Sequence, residues 1–261
     1  MTDSEGGPPG IKIIDLSVPL HNFAMERDSA HIFAWEHREG ARRVSKAHNF
    51  DPDLLPDGKA AAAEEVTLNT HSGTHLDAPW HYGPTCAGQP ARTIDQIPLE
   101  WCFSDGVVLN VTHRKAGELI TPDDLAQALQ RIDYQIKPFD IVLIRTDAVK
   151  RYEKPDFLEC QPGMGREGTL WLLDQGVKIM GIDAWSFDRP LAAMVKDLKA
   201  GKQEAYWPAH LVGREREYCH LEKLANLDLL PKPYGFKVSV LPVKIARGSA
   251  GWVRAVAIFE G

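Results

Sequence analysis

Residues 71–81 carry the side chains that decide the fold and chemistry of this chain, and they read His71-Ser72-Gly73-Thr74-His75-Leu76-Asp77-Ala78-Pro79-Trp80-His81. Three imidazoles and one carboxylate therefore lie within eleven residues. Neutral imidazole and carboxylate are ligands of borderline divalent cations such as zinc, manganese, cobalt and iron(II). The stretch predicts a metal site and leaves one histidine for proton transfer.

The spacing within this stretch predicts a sharp bend. Residues 65–71 alternate apolar and polar side chains, which indicates a half-buried strand. A straight strand from His71 to Asp77 would span about 20 Å, whereas metal–ligand bonds are only about 2 Å long. Gly73 tolerates the backbone angles that a bend requires. We expect a strand that ends in a tight turn at Gly73, with His75 and Asp77 on a short extended piece after it.

The alternative to a metal site is a chance cluster or a hydrogen-bonded surface patch, because the chain contains ten histidines. Two features favour the metal site over this alternative. A glycine stands where the bend is needed, and a carboxylate follows His75 after two residues.

The pattern His-x-Gly-Thr-His-x-Asp-x-Pro-x-His resembles the signature of the cyclase family of metal-dependent hydrolases, which includes bacterial kynurenine formamidase and isatin hydrolase. Every fixed position of that signature is present here. The resemblance covers nearly the whole chain after residue 10, including residues 13–17, 181–183, 208–210 and 221–227. It implies an α/β fold, a single domain with a mixed β-sheet or barrel-like core flanked by helices, of the swivelling β/β/α type.

The resemblance also implies roles for individual side chains. It makes His71, His75 and Asp77 metal ligands, and it makes His81 the catalytic acid/base. The implied cofactor is a divalent metal, Mn(II) or Zn(II).

A second pair of side chains bears on the number of metal ions. His210 and Glu222, twelve residues apart, match the positions that complete a second metal site in the formamidase branch of the family. The isatin hydrolase branch is described with one manganese. The long stretch before the motif, together with residues 181–190, looks more like the isatin hydrolase branch. The implied partners are a small aromatic substrate and further copies of the chain, as a homodimer or homotetramer.

Length, charge and composition bound the class of protein. The 261 residues suffice for one large domain, predicted over residues 11–261. The net charge of −6 argues against nucleic-acid binding, which needs a basic surface. No apolar run approaches the roughly 18 residues of a membrane helix. Residues 1–10 have neither a basic nor an apolar segment, so we expect a disordered tail rather than a secretory signal.

The cysteines are widely spaced and form no Cys-x-x-Cys pair. This spacing predicts reduced thiols in a cytoplasmic protein rather than a disulfide framework or a thiolate zinc site. The four positions are Cys86, Cys102, Cys160 and Cys219.

Strand and helix signals alternate along the chain. Apolar runs predict strands near residues 11–16, 65–71, 106–112, 140–146, 177–183, 237–245 and 252–259. A cap at Thr121 predicts a helix through residue 132, and glycines at 176 and 201 end predicted helices over residues 166–175 and 191–200. The alternation indicates an α/β domain with a partly antiparallel sheet. Residues 37–64 read as one long irregular loop, typical of a lid, a binding loop or a subunit arm.

Aromatic residues supply candidates for a pocket that binds a flat substrate. The candidates are Phe33, Trp35, Trp80 and Trp185. The alternative for each is an ordinary core position, although Trp80 is tied to the site region by Asp77 and His81.

Several remaining polar residues have plain structural interpretations. Gly163-Met164-Gly165 could cradle a phosphate before a helix, but it lacks the rest of such a motif, so we interpret it as a turn. Asp183, at a strand end, either faces the site or caps a turn. The isolated histidines are interpreted as surface or hydrogen-bonded residues, namely His21, His31, His37, His48, His113 and His220.

The expected chemistry is hydrolysis of an amide or lactone carbonyl. A bound divalent cation lowers the pKa of water toward about 7, and His81 can take and return a proton near neutral pH. The favoured substrate is an aromatic cyclic amide of the isatin type; an N-formyl aryl amine, as in kynurenine formamidase, and a lactone are alternatives. From another class, a non-haem Fe(II) oxygenase would use His75, Asp77 and His210. A non-catalytic metal-binding protein is the remaining alternative.

Overall fold

The computed structural model describes residues 10–22 and 30–260, and these form two compact units. Among the described residues, the larger unit consists of residues 10–19 and 73–260, and the smaller one of residues 20–22 and 30–72. Residues 1–9 of the predicted disordered tail lie outside the described residues. Among the described residues, no helix combines the length and hydrophobicity that crossing a membrane requires. The limits of the single domain predicted over residues 11–261 stay a prediction.

Fifteen strands and five helices are described in these ranges. The strands are β1 (Ile11–Asp15), β2 (Ala30–Trp35), β3 (Ala63–Leu68), β4 (His75–Asp77), β5 (Thr85–Cys86), β6 (Gln89–Pro90), β7 (Phe103–Asn110), β8 (Leu119–Ile120), β9 (Ile141–Arg145), β10 (Gly163–Met164), β11 (Ile179–Ile182), β12 (Cys219–Glu222), β13 (Tyr234–Ser239), β14 (Ala250–Trp252) and β15 (Val256–Glu260). The helices are α1 (His37–His48), α2 (Pro79–Tyr82), α3 (Pro122–Ile132), α4 (Arg166–Asp174) and α5 (Leu191–Lys199).

The larger unit contains a nine-stranded mixed sheet in the order β1-β15-β13-β7-β9-β11-β12-β4-β14. The four central strands, β7, β9, β11 and β12, run parallel, and antiparallel pairs flank them on both sides. The predicted mixed α/β fold is confirmed. The late strands are shorter than predicted, because the strand predicted over residues 237–245 ends at Ser239 and that over 252–259 is interrupted between β14 and β15.

Alternating side chains of this sheet pack into two separate apolar cores. Leu76 of β4 and Leu221 of β12 belong to one core, with Leu143 of β9. Val142 of β9 and Met180 of β11 belong to the other. Because successive side chains of a strand point to opposite faces, the polar neighbours of Leu76 and Leu221 project to the face opposite these leucines.

The helices follow their sequence signals closely. Thr121 caps α3 in a reciprocal arrangement with Asp124, and α4 and α5 are followed by Gly176 and Gly201, both with positive φ. The four cysteines are free, as predicted.

The smaller unit corrects two of the sequence predictions. Residues 37–64 are not one irregular loop, because α1 occupies twelve of them. The strand predicted over residues 65–71 is β3, which ends at Leu68 and pairs only with β2. It is mostly exposed rather than half-buried, with Val66 at 49% exposure, since a sheet of two strands has little surface of its own with which to cover both faces.

Asp183, at the end of β11, caps a turn rather than facing the site. Its carboxylate accepts hydrogen bonds from the backbone and hydroxyl of Thr146, both at 2.6 Å, and from the backbone of Asp147 at 2.9 Å. These bonds satisfy backbone groups just beyond the end of β9. The side chain therefore joins two parallel strands at their carboxyl ends.

Asp183→Asn is expected to remove a pH-dependent component of stability. Burial raises the pKa of Asp183 to about 6, against the opposing effect of its hydrogen bonds. The folded chain then binds this proton more tightly than the unfolded chain, whose aspartate titrates near pH 4. The contribution to stability is therefore greatest below about pH 4 and falls by up to ~3 kcal/mol as the pH rises through about 6.

Urea unfolding of chelator-treated wild type and variant at about pH 4, 5 and 6 measures this component. The unfolding free energy of the wild type minus that of Asp183→Asn should decrease across the series. A difference that does not change with pH would show that Asp183 binds its proton equally well in the folded and the unfolded chain, which would contradict the prediction.

Candidate metal centre

Two adjacent antiparallel strands bring four of the polar side chains together. In the pairing of β4 with β12, Asp77 stands opposite His220 and His75 stands opposite Glu222. Residues directly opposite one another project to the same face with their Cβ atoms about 5 Å apart. All four side chains are buried. The bend that leads into β4 is at Gly73, whose φ is +63°, as predicted.

Asp77 and Glu222 each direct one carboxylate oxygen toward His75 and the other toward His210 and His220. His75 Nε2 lies 3.2 Å from Asp77 Oδ1 and 3.6 Å from Glu222 Oε2. His220 Nε2 lies 3.1 Å from Asp77 Oδ2 and 3.4 Å from Glu222 Oε1, and His210 Nε2 lies 3.8 and 3.9 Å from the same two oxygens. We call the His75 side the proximal site, and the side of His210 and His220 the distal site.

In each of these three imidazoles, Nδ1 makes a hydrogen bond to a group other than the carboxylates of Asp77 and Glu222. The Nδ1 partners are the Gly73 carbonyl for His75 at 2.8 Å, Asp188 Oδ2 for His210, and Tyr82 Oη for His220 at 3.0 Å. A carbonyl oxygen only accepts hydrogen bonds, so the Nδ1 of His75 carries a proton. A ligating histidine donates its second ring N–H in this way, which leaves Nε2 to face the metal.

The donor set fits a divalent cation. Three Nε2 atoms and two carboxylates with oxygens on both sides are the ligand types of zinc, manganese and iron(II). The ligand atoms of Asp77, His210, His220 and Glu222 lie within 4.8 Å of one another, and all four residues are buried. Paired buried carboxylates are costly unless positive charge compensates them.

Ionisation in the cluster is governed by this excess of negative charge. Burial alone lowers the pKa of the His220 imidazole, but hydrogen bonds to the carboxylates of Asp77 and Glu222 outweigh it and raise the pKa to about 9. Burial alone raises the pKa of the Glu222 carboxyl, whereas its hydrogen bond with His220 holds that pKa below its usual range. A cation would satisfy the same carboxylates in place of the proton.

His81 lies at the more open side of the centre. It is carried by the short helix α2, and its Nε2 is 3.7 Å from Asp77 Oδ2. Its side chain is 22% exposed, whereas those of Asp77 and His220 are almost fully buried. Trp207 lies 5.7 Å from the His81 ring and stacks on His210 with ring centroids 4.7 Å apart. His81 is therefore the imidazole of this group that solvent or a substrate can best reach.

Asp188 orients His210 by binding the ring nitrogen Nδ1, while Nε2 faces Asp77 and Glu222. Its carboxylate accepts the Nδ1–H of His210 and the backbone N–H groups of His210 and Ala209. Gly163 packs against this segment, because an added Cβ would lie 2.0 Å from the Arg189 nitrogen. The interpretation of residues 163–165 as a plain turn is wrong, since Gly163 begins β10, which pairs with β8.

The remaining predicted site residues are distributed over both units. His71, Phe33 and Trp35 belong to the smaller unit, where the two aromatic rings lie 6.1 Å apart and Arg43 covers them. Phe33 also lines a cavity of about 560 Å³ beside the β2–β3 sheet. The predicted roles of these three residues at the metal centre stay predictions.

The two predicted tryptophans of the larger unit have different surroundings. Trp80 belongs to α2 and is 44% exposed. Trp185 is partly buried, and the ammonium of Lys223 lies 5.5 Å from its ring centroid. Their predicted contact with a substrate stays a prediction.

Three residues of the centre were missed by the sequence analysis. His220 was interpreted as an isolated surface or hydrogen-bonded histidine; it does bond to Tyr82, but it is fully buried beside Asp77 and Glu222. Asp188 and Trp207 were not singled out. A signal was available for His220, since it precedes Glu222 by two residues and therefore shares its strand face.

Known proteins with similar sequences are hydrolases. Over 196 residues the chain is 31% identical to the kynurenine formamidase of Bordetella avium, covering 74% of this chain and 78% of that one. It is 27% identical over 229 residues to the isatin hydrolase of Roseibium aggregatum, covering 82% and 80%. The crystal structure of isatin hydrolase A from Ralstonia solanacearum has the same fold, with a TM-score of 0.74 at 24% identity over 96% of this chain and 92% of that one.

A buried cluster of imidazoles and carboxylates on a mixed sheet defines a candidate metal-dependent hydrolase. The Cyclase family model matches residues 14–189, and the chain belongs to that family. The resemblance found in the sequence is thereby confirmed.

Proposed function

We propose that this hydrolase opens an aromatic cyclic amide of the isatin type, with a divalent metal, Mn(II) or Zn(II), as cofactor and His81 as acid/base. The observation that carries the proposal is the convergence of His75 and His210 on the two carboxylates of Asp77 and Glu222. Similarity to an isatin hydrolase over most of both chains supports the choice of substrate.

His75, His210, Asp77 and Glu222 would hold the metal, together with His71 of the predicted ligand set. A bound divalent cation supplies a Lewis acid for the carbonyl oxygen and lowers the pKa of water. The rest of the reaction depends on residues of the chain.

His81 would move the proton in this reaction. Its Nε2 lies beside Asp77 Oδ2 and is reachable from solvent. It would take a proton from the attacking water as the new C–O bond forms. It would then return the proton to the amide nitrogen as the C–N bond breaks, which makes that nitrogen a better leaving group. The product of a cyclic amide is a ring-opened carboxylate that retains the amine.

The second candidate is kynurenine formamidase activity, which the 31% identity to the Bordetella avium enzyme favours. The proton transfers would be the same, but the amine and formate would separate. A lactone is the third candidate substrate. The oxygenase alternative is disfavoured by geometry, because His75 and His210 face opposite oxygens of Asp77, whereas a facial triad directs all three ligands at one ion.

The test is an initial-rate measurement on chelator-stripped protein and on the same protein reloaded with Mn(II) or Zn(II). Isatin, N-formylkynurenine and a small lactone are compared at equal concentration, under air and under nitrogen. Metal-dependent, oxygen-independent loss of isatin that exceeds turnover of the other two substrates supports the proposal. Preference for N-formylkynurenine would move the protein to the formamidase branch, and absence of metal-dependent turnover with all three would overturn the hydrolase proposal.

Asp188→Asn is expected to weaken metal binding by about 10–100-fold, as for other outer-shell partners of ligating histidines. An amide offers a single acceptor oxygen and places an NH₂ group toward donors that Asp188 now satisfies. Competition titration with a fluorescent chelator measures the affinity. Asp183→Asn is the matched control, because Asp183 is equally buried but caps a turn away from His210. Equal affinities in both variants would contradict the positioning role.

A further inference from the structure

His220 is a buried histidine for which the proposed chemistry has assigned no role. It lies on β12 two residues before Glu222, directly opposite Asp77 of β4. Its side chain has no exposed surface. The Nε2 atom lies 3.1 Å from Asp77 Oδ2 and 3.4 Å from Glu222 Oε1, closer to both oxygens than His210 Nε2 is.

The ring of His220 is held in one orientation by aromatic neighbours. Phe187 stacks on it with centroids 4.5 Å apart and planes inclined by 11°, and Tyr82 stacks at 5.2 Å and 22°. Locked rings are a requirement for a precise ligand geometry. The stacking therefore fixes the direction in which Nε2 points.

Tyr82 also favours the tautomer that a ligand needs. Its hydroxyl is directed to the Asp77 carbonyl at 3.5 Å, at the long end for a hydrogen bond. Its oxygen can then accept from the Nδ1–H of His220 at 3.0 Å, which leaves the lone pair on Nε2.

We propose that His220 is a fourth protein ligand at the distal site and closes it around a divalent cation. The closed set consists of the Nε2 atoms of His210 and His220, Asp77 Oδ2 and Glu222 Oε1. Two nitrogens and two oxygens complete a tetrahedral shell, and sites closed by four protein ligands leave no position for substrate.

This inference rests on the proposed metal-dependent function and assigns different tasks to the two sides of the centre. The distal cation anchors Asp77 and Glu222, which both also face His75. Substrate and water would then meet an ion on the His75 side, while His81 acts from the side of Asp77 Oδ2. The competing explanation is that His220 is a protonated imidazole that only bridges the two carboxylates.

Cobalt(II) distinguishes these explanations, because tetrahedral Co(II) absorbs visible light far more strongly than five- or six-coordinate Co(II). Chelator-stripped wild type is titrated with Co(II), and bound cobalt per chain is measured after dialysis. We expect two ions per chain and one intense visible spectrum. In His220→Gln, which retains a hydrogen-bonding side chain beside Tyr82, we expect loss of the intense bands and of one ion.

The matched control is His113→Gln, because His113 is half exposed and bonds to Asp124 outside the centre. It should retain both ions and the intense spectrum. An unchanged cobalt content and spectrum in His220→Gln would overturn the inference. Failure of the wild type to bind any cobalt would overturn the proposed metal-dependent function itself, which is a distinguishable result.

A measurement on the wild type keeps the inference testable even if His220→Gln does not fold. In zinc-loaded protein labelled with ¹⁵N-histidine, the Nε2 of His220 should show the chemical shift of a metal-bound nitrogen, with its proton on Nδ1. A protonated Nε2 in the zinc-loaded protein would overturn the ligand assignment.

Discussion

Asp77→Asn is expected to abolish metal binding and turnover together. Both oxygens of Asp77 face imidazoles, Oδ1 at 3.2 Å from His75 and Oδ2 at 3.1 Å from His220. An asparagine keeps the shape but loses the charge and turns an N–H donor toward one of these sides. We expect the loss of metal affinity to exceed the roughly 10–100-fold cost of outer-shell changes. Metal content after dialysis and kcat/KM for isatin measure the two effects.

The control for this variant is Asp140→Asn. Asp140 is 1% exposed and accepts hydrogen bonds from Tyr134 and the backbone of Lys137, away from the metal centre. This control should lose stability but keep its metal and its kcat. If Asp77→Asn retained the wild-type metal content, the interpretation of Asp77 as a carboxylate shared by both sides of the centre would be wrong.

His81→Ala is expected to lower kcat by about 10²–10⁴-fold, the usual contribution of a general acid/base. The ion at the distal site should be retained, because its four candidate ligands, Asp77, His210, His220 and Glu222, do not include His81. Steady-state kinetics over a pH series and metal analysis of the same preparation measure both effects.

His48→Ala provides the comparison, since His48 is an exposed residue in the last turn of α1. It should match the wild type in kcat and metal content. If His81→Ala lost its metal, His81 would be reassigned as a ligand. If the variant kept full activity, another residue would have to transfer the proton.

Local sequence signals were sufficient for several elements of the fold. Thr121 and Asp124 form the capping box that begins α3, and both partners lie within four residues. Gly73 adopts the positive φ predicted for the bend. Signals of this kind depend only on the backbone of a short segment, so they can be recognised without the tertiary structure.

Helix α1 shows why part of the chain could not be predicted. Its buried residues are Gly40, Ala41 and Ser45, all small. Helix prediction from sequence depends on a stripe of large apolar side chains, and this helix has none. Gly40 is required by close packing instead, because an added Cβ would lie 2.0 Å from the Ala61 carbonyl oxygen.

The sequence by itself supplied the candidate ligand types in residues 71–81, the bend at Gly73 and, through resemblance to a family, the distant candidates His210 and Glu222. Only the tertiary structure decided that His220 faces Asp77 and that Asp188 holds His210. The physical reason is that register between strands far apart in sequence is fixed by burial of Leu76 and Leu221 in one core. That register turns the alternate side chains of β4 and β12 toward one another.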